Sequence, residues 1–459
     1  MITSPSTTPP YSKAKPKLAI VLLTAFLGWM FDGLEMGMFP LIARPALQQM
    51  QQTLGLGASD AFVGEWMGYI TAAFLIGAAG GGVLFGWLGD RIGRVRAMAI
   101  SILCYSLFTG LVYFAESPWH LLITRFIAAL GMGGEWSLGI ALVMEVWPEK
   151  HRPWLAGVIG AAANVGFALI AVIGLFVQVT TESWRWIALV GAAPALLTFF
   201  VRIFVPESER WQESQRSTDR HEPLREVLRP PLLRSTFLAM ILASVALIGT
   251  WGSVQWLPLW ADQMAQRASV QVALAELSPT GTGALRDGEA LSPAVVKRAG
   301  ELKDHNAKAY TQINSALGAV VGCLLGGWWG GLLGRRQGYF ILCLLSLGSC
   351  AWLFRGFDTY DGSFLAITFL VGGITAAFYG WFPLYLPELF PTRVRATGQG
   401  LSFNAGRILA AGGALQMGSL MQHFNGDYAQ AGAIITLIYL VGLIVIWFAP
   451  ETRGQQLPP

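Results

Sequence analysis

The chain has 459 residues, of which 54% are hydrophobic and only 13% charged, with a mean hydropathy of +0.52. Soluble domains carry roughly 25% charged residues. A water-soluble protein of this length could not bury so much apolar surface, so the composition excludes one and points to a polytopic helical membrane protein. The net charge of +4 is small, and the basic residues sit in short clusters between apolar runs. That pattern is a topology signal rather than a nucleic-acid surface.

The chain opens on YSKAKPKLAIVLLTAFLGWMFDG, whose basic and apolar regions mimic a signal peptide. It continues into Asp32 and Glu35 with no small-residue cleavage site, and so reads as a tail (1–17) and an uncleaved first span. A span needs about 20 mostly apolar residues. Twelve are predicted, near 18–40, 62–87, 97–115, 119–144, 154–178, 184–204, 236–261, 309–333, 339–356, 363–386, 396–421 and 428–449. Between the sixth and seventh, PESERWQESQRSTDRHEPLREVLRPPLLR is too charged to cross. It makes 206–235 a linker between two six-span halves, 18–205 and 236–449, with 450–459 as a second tail. The polar stretch near 262–308 reads as a surface insertion with one or two amphipathic helices, or as a lid.

Basic clusters fix the orientation. Lys13, Lys15 and Lys17, then Arg91, Arg94 and Arg96, then Lys150 and Arg152, the linker, Arg335 and Arg336, and Arg393 and Arg395 occupy alternate loops. Both termini and the linker are therefore expected in the cytoplasm and 262–308 outside, in a cell (inner) membrane.

The halves repeat. GWLGDRIGR (86–94) lines up with GWWGGLLGR (327–335), EVWPEKHRPWLAG (145–157) with ELFPTRVRATGQG (388–400), and PES at 206 with PET at 450. A duplication of this kind implies two similar bundles with a substrate site between them. GWLGDRIGRVRAM resembles the signature loop of the major facilitator superfamily. PESER and PETRG resemble sugar-porter endings, while RFIAALGMGGEWSLGIALVMEVWPEKHR and YLPELFPTRVRATGQGLSFNAGR resemble the proton symporters for sialate, lactate and aromatic acids. The resemblance implies an all-α fold of twelve transmembrane helices in two pseudo-symmetric bundles, acting as a monomer. It also implies an inner-gate latch at Gly86, Gly89, Asp90, Arg91, Gly93 and Arg94, with Glu145, Arg152, Glu388 and Arg395 of the second repeat. The sequence departs from the pattern at Gly331, which stands where the first half has Asp90, and WGSVQWLPLW in span seven lacks the His- and Asp-bearing motif of fungal lactate carriers.

A charge at mid-membrane costs a few kcal/mol or more, so it faces a cavity or a partner. Asp32 and Glu35 lie one turn apart on one face of span one, with Asp32 roughly 20 Å from the cytoplasmic end. In span four, Arg125 lies roughly 10 Å deep and Glu135 roughly 25 Å deep from the outside, and Arg407 in span eleven is at about mid-depth. Arg407 suits an anionic substrate, because its planar fork matches a carboxylate and keeps its proton. Arg125 reads either as a second substrate contact or as half of a structural ion pair. Asp32, Glu35 and Glu135 are candidates for exchanging a proton, and Glu135, beside Gly133 and Gly134, equally reads as a packing or gating residue. Asn164, Gln255, Gln312, Tyr379 and Asn404 are polar enough to line a cavity or to join helices.

Cys104, Cys323, Cys343 and Cys350 fall in apolar runs at no metal-ligand spacing, and the five histidines lie at span ends or in loops. No ATP-binding loop or nucleophile elbow is present. Neither metal, cofactor nor enzymatic activity is expected. The reading is proton-coupled uptake of a small organic anion; a neutral-sugar symporter and a non-transporting sensor are the alternatives.

Overall fold

The computed structural model describes residues 18–55, 60–177, 180–193, 204–215, 222–277, 292–424 and 427–458. The 1–17 tail, residues 194–203 of the sixth span, 216–221 of the linker and 278–291 of the insertion lie outside them. Every regular element among the described residues is helical. The first half comprises α1 (Leu18–Thr53), α2 (Asp60–Ile92), α3 (Arg94–Leu111), α4 (Pro118–Val146), α5 (Arg152–Phe176) and α6 (Trp184–Val190). Two short helices, α7 (Glu209–Gln215) and α8 (Pro223–Val227), follow in the linker. The second half comprises α9 (Leu233–Gly252), α10 (Leu257–Leu277), α11 (Pro293–Leu302), α12 (Ala307–Leu333), α13 (Arg335–Gly356), α14 (Gly362–Tyr385), α15 (Arg395–His423), α16 (Tyr428–Ile435) and α17 (Tyr439–Val445).

Ten helical stretches among the described residues are long and apolar enough to cross a membrane. The sixth expected span is only partly described, and α15 carries Arg395, Gln399, Asn404 and Arg407, which lower its hydropathy. The structure differs from the expected spans in two places. First, α1 runs on to Thr53, through what reads as a loop. Phe39, Ile42, Ala43, Ala46, Leu47 and Met50 make a helical stripe buried with Trp184 and Ile187 of α6. Gln49 secures that contact by accepting from Trp184 Nε1 at 2.8 Å and Arg185 Nη1 at 2.5 Å. Second, span seven is broken. A 3-10 turn (Val254–Trp256) separates α9 from α10, following Gly252 and the non-helical Ser253 (φ −130°, ψ −60°).

Within the insertion, the far half of α10 packs on α11 through Ala273, Val295 and Ala299. Arg298 Nε pairs with Glu276 at 2.6 Å, and Asp262 receives Lys303 at 2.8 Å and Lys308 at 3.3 Å.

The halves meet along two seams, α2 against α15 and α5 against α12 and α14. Small residues set both. Gly82 faces the Asn404 side chain and the backbone of Gly400, and Gly327 faces the Pro153 carbonyl and Gly157. A side chain at either position would enter the opposite backbone or a buried amide. Overpacking of this kind costs about 1–3 kcal/mol. Gly82→Val is therefore expected to hold the α2–α15 seam apart in a protein that still folds. Reactivity of a cysteine placed on the cavity wall, probed from the side bearing Asp90, should rise; unchanged reactivity would count against the seam being sterically set.

Candidate functional site

A cavity of about 820 Å³, its opening included, lies between the halves. Asn164, Gln255, Gln312, Tyr379 and Arg407 all line it, on a wall otherwise rich in Trp29, Phe167, Trp251 and Phe403. Broken span seven supplies both sides of its kink, with Thr250 and Trp251 before it and Gln255 and Pro258 after it. Thr250 was not singled out in the sequence; its hydroxyl lies 2.6 Å from that of Tyr379.

Arg407 comes from α15, and its Nη1 donates to Asn404 Oδ1 at 2.8 Å, its one hydrogen bond among the described residues. Its guanidinium carbon stands 5.6 Å from the Phe403 ring centre, and that ring stacks on Trp136 of the other half at 3.8 Å. Asn404 is not on the cavity wall. It donates to the carbonyls of Gly400 (2.9 Å) and Gly133 (3.4 Å), so its oxygen is turned toward Arg407 and it acts as a positioning residue.

The two acids of span one part company. Glu35 forms a buried ion pair with Arg125 and accepts from Thr109 Oγ1 at 3.3 Å. Arg125 also lies over the rings of Phe39 and Phe74, at 4.7 and 4.8 Å. Arg125 therefore does not reach the cavity, and Glu35 is not free beside it; a pair in a dry helix interface needs its full complement. Asp32 does not line the cavity; it is wholly buried, faces Glu135 and feels the charge of Arg407.

At one end of the molecule the halves are tied together. Asp90 Oδ2 accepts from Thr397 N (2.8 Å) and Thr397 Oγ1 (2.6 Å), and Oδ1 accepts from Ala396 N at 3.3 Å. A carboxylate of one half thus caps the N-terminus of α15 in the other, where free N–H groups and the helix dipole favour a negative charge. Arg94 joins Asp90 (2.6 Å), Glu145 (3.1 Å) and the Thr392 carbonyl (2.7 Å), while Arg395 reaches Glu145 at 3.0 Å. Gly86 packs on the backbone of Ala396, and Gly89 on Leu138.

Three members expected at this seam lie elsewhere. Arg91 is exposed, with its guanidinium over the Trp87 ring at 4.6 Å. Arg152 pairs with Glu149 of its own half at 2.9 Å. Glu388 instead receives Arg335 (2.7 Å) and Thr452 (2.6 Å), also within one half. The internal repeat explains why Gly331 replaces Asp90. Ala396, whose N–H meets Asp90, aligns with Pro153, which has no N–H to offer, and Gly331 packs against that proline ring.

The repeated PES and PET motifs hold the turns beside these residues. Gly93 (φ +106°) and Gly334 (φ +96°) adopt left-handed backbone that favours glycine. The N–H groups that follow are taken by Glu207, at 2.9 Å from Arg94 N and 3.1 Å from Val95 N, and by Glu451, at 3.0 Å from both Arg335 N and Arg336 N. Burial works against the Glu451 carboxylate, but the backbone donors and Arg335 prevail and hold its pKa below the ordinary range. At Glu207 burial wins and pushes the pKa up. Neither glutamate was picked out individually from sequence, although the recurring motif marked both.

The family profile described as "Sugar (and other) transporter" matches residues 21–458. The chain belongs to that family. It is similar to the "Probable 4-methylmuconolactone transporter" of Cupriavidus pinatubonensis, 27% identical over 97% of this chain and 93% of that protein. It is also similar to the sialic acid transporter NanX of Escherichia coli, 25% identical over 95% of each chain. Among solved structures, the proton:xylose symporter XylE bound to 6-bromo-6-deoxy-D-glucose superposes with a TM-score of 0.72 at 17% identity, covering 96% of this chain and 97% of that one, a likeness of fold. This family member is a metabolite transporter of major facilitator fold, a multi-pass membrane protein and not an enzyme.

The cross-half cap makes a direct prediction. Charge-assisted hydrogen bonds contribute about 1.5–3 kcal/mol each. Asp90→Asn should shift the closed-to-open balance at this end by roughly tenfold or more and slow transport, while the protein still reaches the membrane folded. Interdomain distance measurements on spin-labelled protein, alongside uptake, would test it; parental values of both would remove Asp90 from the latch.

Proposed function

We propose that this transporter takes up a small organic anion, a carboxylate or acidic sugar, together with protons by alternating access. Arg407 carries the reading. It is a guanidinium on the wall of the central cavity whose one hydrogen bond among the described residues goes to an asparagine that aims it. Its remaining N–H groups match the paired oxygens of a carboxylate, a planar acceptor that a neutral sugar lacks. The aromatic wall suits the carbon body of such an anion, while Asn164, Gln255, Gln312 and Tyr379 offer it polar contacts. The relatives named for sialic acid and a muconolactone fit the same class.

Asp32 is the proton carrier in this reading. A carboxylate arriving at Arg407 competes with Asp32 for the positive charge, and Asp32 then takes a proton. Substrate and proton bound together leave little unpaired charge, so the loaded site reorients more cheaply than one holding a bare anion. In this reading the tied end at Asp90 is the inner gate, both termini face the cytoplasm, and the α10–α11 insertion lies outside an inner membrane, as the alternating basic clusters suggest. The protein works as a monomer with its cavity enclosed by one chain.

Two substitutions test the reading in proteoliposomes. Asp32→Asn is expected to abolish accumulation driven by an imposed pH gradient while keeping counterflow of labelled substrate. Normal pH-driven accumulation would move the proton elsewhere. Arg407→Lys keeps the charge and loses the fork, and should weaken carboxylate binding about tenfold. Unchanged anion affinity across a carboxylate panel would favour a neutral sugar.

A further inference from the structure

We propose that Asp32 and Glu135 form a carboxyl dyad that holds one shared proton when the cavity is empty, so that the substrate anion brings in a second. The proposal rests on the symport reading above and adds Glu135 to it.

The geometry is built for contact. Asp32 on α1 and Glu135 on α4 are 0% and 3% exposed, and their side chains meet within hydrogen-bonding reach. All four carboxyl oxygens are buried and receive no donor from any other group. The Glu135 side chain lies along α1, because Gly28, one turn before Asp32, leaves room for it: a Cβ there would stand 2.5 Å from Glu135 Oε1. Tyr105 of α3, whose hydroxyl also has no partner, and Arg407 of α15 are the titratable groups that face the pair. Glu35, a turn further along α1, is already occupied by Arg125 and Thr109.

Two bare carboxylates in such a place repel one another, and nothing nearby donates to them. A single proton changes the contact, since one carboxyl then donates to the other and the two titrate as a unit. The dyad then carries one negative charge and Arg407 one positive charge, so the empty site is neutral. An anion alone makes the site negative, and an extra proton alone makes it positive. Anion and proton together restore neutrality. The two states that cross the membrane cheaply are therefore the empty site and the site loaded with both, which is the condition for tight coupling. When Arg407 turns to the substrate, the remaining negative charge is free to move to Glu135, and the incoming proton completes the pair. No bond other than that to the proton is made or broken.

The test uses infrared spectroscopy and transport on the same reconstituted protein. The substrate-free parent at neutral pH should show a protonated-carboxyl band that is lost in Glu135→Gln, where Asp32 alone ionises against Arg407. Glu135→Gln should also take up substrate about tenfold more slowly at neutral pH and recover as the external side is acidified, a shift of the profile by about a unit. Glu135→Asp, which keeps the carboxyl, should restore both band and profile. A parent lacking the band, or a Glu135→Gln variant with the parental band and pH profile, would overturn the dyad. Absence of pH-driven accumulation in the parent would defeat the symport reading instead, and the infrared band would still decide the dyad.

Discussion

A charge placed in hydrocarbon needs a partner, and that constraint organises this structure. It is met in three ways. Glu35 and Arg125 close on each other inside the first bundle and stay there. Asp90, Arg94, Glu145 and Arg395 are matched between the bundles, so their pairing depends on how the two halves stand. Arg407 is matched in part, by one asparagine oxygen and the distant field of Asp32. Only an incompletely matched charge has affinity left for a ligand, which is why the cavity belongs at Arg407 rather than at Arg125.

The glycines have the complementary task. Polar networks between bundles function only if backbones come close, and Gly82, Gly86 and Gly400 bring α2 and α15 near enough for Asp90 to reach two amides of the opposite helix. The same closeness puts Trp136 and Phe403 face to face at 3.8 Å, making an aromatic floor under the cavity shared by both halves.

Much of this was legible in the sequence. Apolar runs of about 20 residues, the repeated motifs and the polar linker led to twelve helices in two bundles, and the family match agrees. Arg407 was readable as a cavity residue by its charge, whereas Asn164, Gln255, Gln312 and Tyr379 read equally as lining or as interhelical contacts, and the structure puts all four on the wall. Pairings were not readable. Whether Arg125 meets substrate or Glu35 depends on the rotation of α1 against α4, and depth alone does not specify rotation. Asn404 is polar enough to line a cavity or to join helices, and its amide is claimed by two carbonyls away from the cavity wall. The break in span seven was masked because Gly252 and Ser253 are common within spans, and α1 outran its apolar stretch because its continuation packs on α6 rather than on lipid.

The exchange of Asp90 and Ala396 in one seam for Gly331 and Pro153 in the other bears on how the duplicated halves diverged. Neither change is neutral alone. An aspartate opposite the proline ring would be a buried anion with one fewer amide to receive it, and a proline opposite Asp90 would strip a donor from a carboxylate already committed there. The two positions are therefore free to drift only together, and symmetry once lost at such a pair is hard to regain by single steps. One seam carries a polar contact between carboxylate and amides, the other an apolar contact of glycine on proline. The two repeated halves therefore meet through seams of unlike chemistry, and the pseudo-symmetry of the sequence is broken where the bundles touch.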